Sequence, residues 1–150
     1  MRCVVQRSGS AAVAIEGRTV GSIDKGLVVL AAFGPRDTAA ELDWMARKLP
    51  CLRIFNDSEG KMNLSLTEVG GGILLVSQFT LYGNCRKGMR PSFIGSAPPE
   101  QARRLYADFG RILRQQWSDI AEGEFGAAME VSLVNDGPVT LVVDREAADD

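Results

Sequence analysis

Apolar and polar positions along the chain fall into short blocks, and the spacing within each block names an element. Leu27 to Phe33 is seven apolar residues without a break, and Ile73-Leu74-Leu75-Val76 is a second such run. Uninterrupted runs of this kind read as strands buried on both faces. Mixed runs at Arg2 to Arg7, Ala11 to Ile15, Thr19 to Ile23, Cys51 to Phe55, Ile120 to Phe125, Glu130 to Val134 and Val139 to Val143 read as further strands. Two segments change to a helical period. Thr38-Ala39-Ala40-Glu41 has the spacing of a capping box, and Leu42, Met45, Ala46 and Leu49 follow on one face before Pro50 stops the helix. Pro98 and Pro99 open the second, in which Ala102, Leu105, Tyr106, Phe109, Ile112, Leu113 and Trp117 keep the helical period.

The intervals between these blocks are polar or rich in glycine. Gly70-Gly71-Gly72 reads as a flexible break, and Tyr82 to Phe93 as a long basic surface loop. Arg145 to Asp150 reads as a frayed acidic tail. Val134-Asn135-Asp136-Gly137-Pro138-Val139-Thr140 packs turn formers between two apolar runs, so locally it favours a hairpin corner. A proline there also permits a cis peptide bond, the state of ~5% of X–Pro bonds. The pattern predicts one α/β domain over residues 1–150, with two main helices and roughly seven to nine strands.

Composition narrows the chemistry. A hydrophobic content of 45% and a charged content of 24% are those of an ordinary globular protein. An apolar run of seven residues is far short of a membrane span, and the first residues lack the apolar core of a signal peptide. A cytoplasmic location is therefore expected, with no membrane partner. Cys3, Cys51 and Cys85 form no paired motif, which argues against a disulfide framework or a zinc site. Cys3 and Cys51 read as buried filler and Cys85 as a loop residue. Histidine is absent altogether. Ser-His-Asp and Cys-His catalysis and histidine metal sites are thereby excluded. A net charge of −2 gives no broad basic field, so a nucleic acid partner would be held locally.

Two polar stretches follow strongly apolar strands, where α/β proteins commonly bind ligands. They are Ser77-Gln78-Phe79-Thr80-Leu81 and Asn135-Asp136-Gly137-Pro138-Val139-Thr140, separated by residues 82–134. In this order and at this spacing they resemble the two signature motifs of D-aminoacyl-tRNA deacylases. The resemblance runs through nearly the whole chain. It takes in the opening Met-Arg-x-Val-x-Gln-Arg, Leu52 to Phe55, Gly60 to Leu66, Arg86 to Phe93 and Phe125 to Leu133. The related trans-proline deacylases, which act on L-alanine mischarged on threonine tRNA, carry Pro-Gln-Ala-Thr where this chain has Ser77-Gln78-Phe79-Thr80. The motif thus sides with the D-specific group. Gly34 to Asp37 and Gly83 to Cys85 depart from the commoner family wording.

The resemblance implies a three-layer α/β/β fold with mixed, barrel-like sheets and two main helices. It implies a homodimer with active sites at the subunit interface, and no cofactor or metal. The substrate would be the ester joining a D-amino acid, or glycine mischarged on tRNA-Ala, to the 3′-terminal adenosine of tRNA. Gly137-Pro138 would be cis and would enter the partner's site, where its carbonyls meet the substrate's ammonium and an L side chain is turned away. Asn135 belongs to the same substrate-binding motif. Ser77, Gln78, Phe79 and Thr80 would form the catalytic wall, with the N–H groups of Phe79 and Thr80 facing the ester oxygen.

Individual residues keep two readings. Thr80 is either a nucleophile lacking a base or a group that positions substrate while the ribose 2′-hydroxyl helps activate water. Gln78 binds adenosine or caps a loop. Phe79 is core or a platform for adenine. Arg7 braces the Gly-Pro turn or makes a surface salt bridge. Met129 lines the pocket or fills core. Arg86, Lys87 and Arg90 meet tRNA phosphates or are simply solvated.

Overall fold

The structure, a computed structural model, describes residues 1–147. The chain begins as one long strand, β1 (Arg2–Ile15), where the pattern predicts two, and continues through β2 (Arg18–Ile23) and β3 (Gly26–Ala32). Helix α1 (Ala39–Lys48) starts on its expected capping box, in which the Thr38 N–H donates to Glu41 Oε2 at 2.8 Å. A cap of this type stabilises a helix by about 1 kcal/mol. A 3₁₀ turn, Leu49–Cys51, leads to β4 (Phe55–Asn56), β5 (Met62–Leu64), the one-turn helix α2 (Leu66–Val69) and β6 (Gly72–Ser77). A second 3₁₀ turn, Phe79–Tyr82, follows directly. Helix α3 (Pro99–Gln116), β7 (Ile120–Glu122) and β8 (Glu130–Asp144) complete the described chain.

The main sheet is mixed and runs β2-β1-β3-β6-β7, with β8 also on β1. β3, β6 and β7 are parallel neighbours, whereas β1 is antiparallel to β2, β3 and β8. One face carries Leu27, Val29, Ile73 and Leu75 and packs against Leu42, Met45 and Leu49 from the α1 region and Phe109 and Leu113 from α3. Burying each such side chain contributes about 1.5–3 kcal/mol. The other face carries Val28, Leu74 and Val76, and Ala11, Val13 and Ile23 from the far ends of β1 and β2 cover it. The same sheet therefore folds back over itself, giving three layers in a nearly closed barrel-like shape. A register shift between Ser8 and Ala11 marks where β1 bends to do this.

Several local readings need correction. Cys51 to Phe55 is not a strand: Pro50 sits in the 3₁₀ turn, and β4 pairs only through Phe55 and Asn56. Cys51 is exposed rather than buried. Ile120 to Phe125 shortens to β7, because pairing with β6 stops at Glu122. Gly70 to Gly72 is not a loose break. A Cβ on Gly72 would meet Ile23 Cγ2 at 2.5 Å, and the Trp117 indole donates to Gly71 O at 2.9 Å. These glycines allow close packing. Arg145 is tied down as well, its N–H donating to Met1 O at 2.9 Å, while residues 148–150 of the expected tail lie outside the described residues.

Candidate active site

The Asn-Asp-Gly-Pro stretch is not a hairpin corner. Both of its flanking apolar runs belong to β8, and both pair with β1. Gln6 faces Thr140 and Ser8 faces Asn135, so the single residue Arg7 lies opposite Asp136, Gly137, Pro138 and Val139. The motif is an enlarged bulge pushed out of a continuous strand, and a local reading of turn formers cannot distinguish the two.

Consecutive residues of β1 grip this bulge. Gln6 Nε2 donates to Asn135 Oδ1 at 2.6 Å and Val139 O at 3.0 Å, and Thr140 Oγ1 donates to Gln6 Oε1 at 2.5 Å. Arg7 Nε donates to Asp136 O at 2.9 Å, and its Nη1 to Ile54 O at 2.7 Å and Asn56 Oδ1 at 3.2 Å. Ser8 Oγ donates to Val134 O at 3.1 Å. Arg7 is only 6% exposed, so it is a buried brace, and its Nε also pairs with the exposed Asp136 carboxylate at 3.4 Å. The Gly137–Pro138 bond is cis, and Gly137 has φ +131°. A Cβ at Gly137 would come within 2.6 Å of Arg7 Nη2, so the brace and a glycine at this position require one another.

The other motif stands at the C-terminal end of parallel strands. Ser77 ends β6 beside Ala31 of β3, and the Gln78 N–H donates to Ala31 O at 2.8 Å. The chain then turns sharply through Phe79–Tyr82. Among the described residues, the N–H groups of Phe79 and Thr80 have no hydrogen-bond acceptor. They head the 3₁₀ turn, where main-chain donors are left over. Gln78 Nε2 donates to Thr80 Oγ1 at 2.5 Å. Phe79 is 55% exposed and packs edge-on against Phe93 at 5.3 Å, so it is not a core residue. Arg2, whose Nη1 donates to Leu81 O at 3.0 Å, holds the turn from behind.

Ser77, Gln78 and Phe79 line a cleft of about 590 Å³ together with Phe33, Phe93, Ile94, Pro98, Phe125 and other small or apolar residues. Among the described residues, the lining contains no titratable side chain. Tyr82, the nearest phenol along the chain, is pushed up by burial and stays protonated at neutral pH. No cluster of three or more metal-ligating side chains occurs among the described residues.

The two motifs do not meet within one chain. Ser77 is level with Ala31, Cys3 and Val143, whereas the bulge is level with Arg7. Four residues along the strand at ~3.3 Å and three strand spacings at ~4.8 Å separate them by roughly 19 Å. Met129 joins neither group. It packs against the second core cluster, beside Gly123. Phe93, Pro98 and Phe125 also line the cleft and are not among the expected site residues; Phe93 and Phe125 lie in stretches that carry the resemblance, but nothing local to them signals a shared cleft.

Fold and cleft together define a barrel-like α/β protein with two open main-chain N–H groups beside an apolar cleft. The relatives say which one. A family model described as D-Tyr-tRNA(Tyr) deacylase matches residues 4–144. A D-aminoacyl-tRNA deacylase of Desulfatibacillum aliphaticivorans is 57% identical, covering 97% of this chain and 100% of that protein. Another, of Lacticaseibacillus casei, is 55% identical over 98% of this chain and 99% of its own length. Of solved structures, the c-Myc DNA Unwinding Element Binding Protein superposes with a TM-score of 0.92 at 40% identity, covering 98% of this chain and 100% of that one. A probable eukaryotic D-amino acid tRNA deacylase shares the fold, with a TM-score of 0.82 at 22% identity and coverage of 96% and 98%. The chain belongs to the D-Tyr-tRNA deacylase family, and its relatives identify it as an enzyme of the D-aminoacyl-tRNA deacylase kind.

Proposed function

We propose that the protein is a cytoplasmic, metal-independent homodimer that frees tRNA from D-amino acids, and from glycine mischarged on tRNA-Ala, while rejecting L-aminoacyl esters. The cleft receives the 3′-terminal adenosine, with Phe79 as a platform for the base and Gln78 within reach of it. The ester carbonyl lies against the N–H groups of Phe79 and Thr80, which stabilise the oxyanion of the tetrahedral intermediate. Water attacks the carbonyl carbon, and the ribose 3′-oxygen leaves as a hydroxyl with the proton that water gives up. The vicinal 2′-hydroxyl of the substrate assists that transfer, and the protein positions the groups.

The observation that carries this reading is the pair of open N–H groups at Phe79, which lines the cleft, and at Thr80 next to it, with no titratable side chain among the described lining residues. Such a site has no base of its own, yet it is arranged for developing negative charge. The Gln78 amide donating to Thr80 Oγ1 favours a positioning hydroxyl over a nucleophile, since an amide N–H cannot accept a proton.

The chirality check comes from a second subunit, whose Gly137-Pro138 enters the cleft and offers carbonyls to the substrate ammonium. The roughly 19 Å between motifs within one chain supports this. So does β8, which pairs only with β1 among the described strands and exposes Val131, Leu133, Val134 and Val142. A long apolar edge of this kind calls for a partner. Asn135 shapes the entering bulge, and Met129 lines the completed site. Arg86, Lys87 and Arg90, exposed in the loop before Phe93, meet tRNA phosphates.

Incubation with D- and L-tyrosyl-tRNA tests the reading. Release of tyrosine from the D-ester alone is expected. Equal hydrolysis of both, or of neither, overturns it. In the last case nucleic acid binding without chemistry would take its place.

A further inference from the structure

The cleft carries no charge, yet on the deacylase reading it must take the end of a polyanion. A volume of about 590 Å³ lies within the ~300–1,000 Å³ typical of small-molecule pockets. That is room for one nucleoside with its aminoacyl group, not for a stem. The RNA backbone must therefore leave the cleft at its first phosphodiester, and a counter-charge belongs at the rim.

One arginine stands there. The guanidinium carbon of Arg103, on α3, lies 4.9 Å from the ring centroid of Phe125, a lining residue. Gly126 also lines the cleft, and a Cβ built on it would be 3.5 Å from Arg103 Nη2. The exposed head group thus rests over Phe125 and beside Gly126, two residues of the cleft wall. Of the other arginines of the same helix, Arg111 pairs with Asp108 at 3.3 Å and Arg114 with Glu122 at 2.8 Å, and Arg104 makes no ring contact with a cleft residue among the described residues. Arg103 is exposed and, among the described residues, pairs with no carboxylate, although Glu100 is one helical turn away and Glu124 adjoins Phe125. An aromatic ring beneath a guanidinium holds the plane while the N–H donors at its edge stay open to a ligand.

We propose that Arg103 binds the phosphodiester that precedes the terminal adenosine, fixing where the RNA end enters. The assignment rests on the deacylase reading. Arginine suits the task because its planar fork matches two phosphate oxygens, which a lysine cannot do.

The test compares D-tyrosyl-tRNA with 2′(3′)-O-D-tyrosyl-adenosine, which has no phosphate. In R103Q, the ratio of kcat/KM for tRNA to that for the adenosine ester is expected to fall roughly tenfold, through KM. The slope of log KM against log salt should become shallower by ~0.7, the value for one single-strand phosphate contact. R103K should recover the salt slope but only part of the ratio. Equal loss on both substrates would show Arg103 to be merely structural and overturn the assignment, as would an unchanged ratio and slope. Failure of the wild-type protein to cleave either substrate would instead overturn the deacylase reading, and the assignment with it.

Discussion

The Gly137-Pro138 bulge and the Phe79–Tyr82 turn are both short irregular segments, and the protein treats them in opposite ways. The bulge is gripped by Gln6, Arg7 and Ser8, with hydrogen bonds to Val134, Asn135, Asp136 and Val139. The turn is held at the back, by Arg2 on Leu81 O and by Gln78 N–H on Ala31 O, while its two leading N–H groups stay open. On the proposed function, the difference follows from what each wall must do. A surface that selects by shape loses its selectivity if it yields. A surface that stabilises developing charge loses its strength if its donors are already satisfied.

The largest effect is expected from removing the brace. Arg7→Ala leaves the buried Ile54 O without its donor and releases Asp136 O of the exposed bulge. Leaving a buried group unsatisfied costs about 1–3 kcal/mol and the lost packing of the arginine stem adds to it, so a loss on the order of 3 kcal/mol is expected. For a chain of this size that lowers Tm by roughly 6–12 °C. Thermal unfolding measures it, and hydrolysis of L-tyrosyl-tRNA by the variant should become detectable as the bulge relaxes. Arg7→Lys should recover little, because one ammonium cannot span Asp136 O and Ile54 O as the fork does. A variant that melts with the wild type would mean that the bulge is rigid for some other reason.

Gly137→Ala attacks the same rigidity from the other side. The new methyl would press on Arg7 Nη2 at 2.6 Å and Val139 Cγ2 at 3.0 Å, in a backbone conformation that L residues rarely adopt. A loss of about 1–3 kcal/mol is expected. Gly60→Ala is the control: its φ of +78° is also left-handed, but nothing lies within 4 Å of the added Cβ. It should cost only about 1 kcal/mol. Equal losses at the two positions, read from denaturant midpoints, would show that the brace adds nothing beyond backbone preference.

How far sequence could see into this pair differs in the same way. The turn was legible, since Ser77 to Thr80 follows an unmistakable buried strand and its N–H groups are a local consequence of chain reversal. The bulge was legible as a motif but not as a shape. Its geometry depends on pairing with residues 2–14, more than a hundred positions away, and the same turn formers suit a hairpin equally well. Capping at Thr38 and the period of α3 were readable because their contacts are local. Gly71 and Gly72 were misread because a glycine chosen for close approach and one chosen for flexibility look alike until the neighbour is known. Arg103 was invisible for a similar reason: α3 carries several arginines, and only packing against Phe125 singles one out.

The smallest effect, and the sharpest for the turn, is expected from Thr80→Ala. Alanine keeps the N–H of residue 80 and removes only the hydroxyl. That hydroxyl accepts a hydrogen bond from Gln78 Nε2, and no titratable group lines the cleft to take its proton. If the wall acts through its main chain, kcat should fall by less than about tenfold, or about 1.4 kcal/mol of barrier. Losing a true oxyanion donor typically costs ~10²–10³. Phe79→Pro, which deletes one of the two N–H groups, should therefore be worse than Thr80→Ala. A drop of ~10⁴ or more in T80A, with tRNA still bound, would make the hydroxyl a nucleophile. The turn would then act through a side chain and not through its main chain, and the contrast between a gripped bulge and an open turn would no longer explain the catalysis.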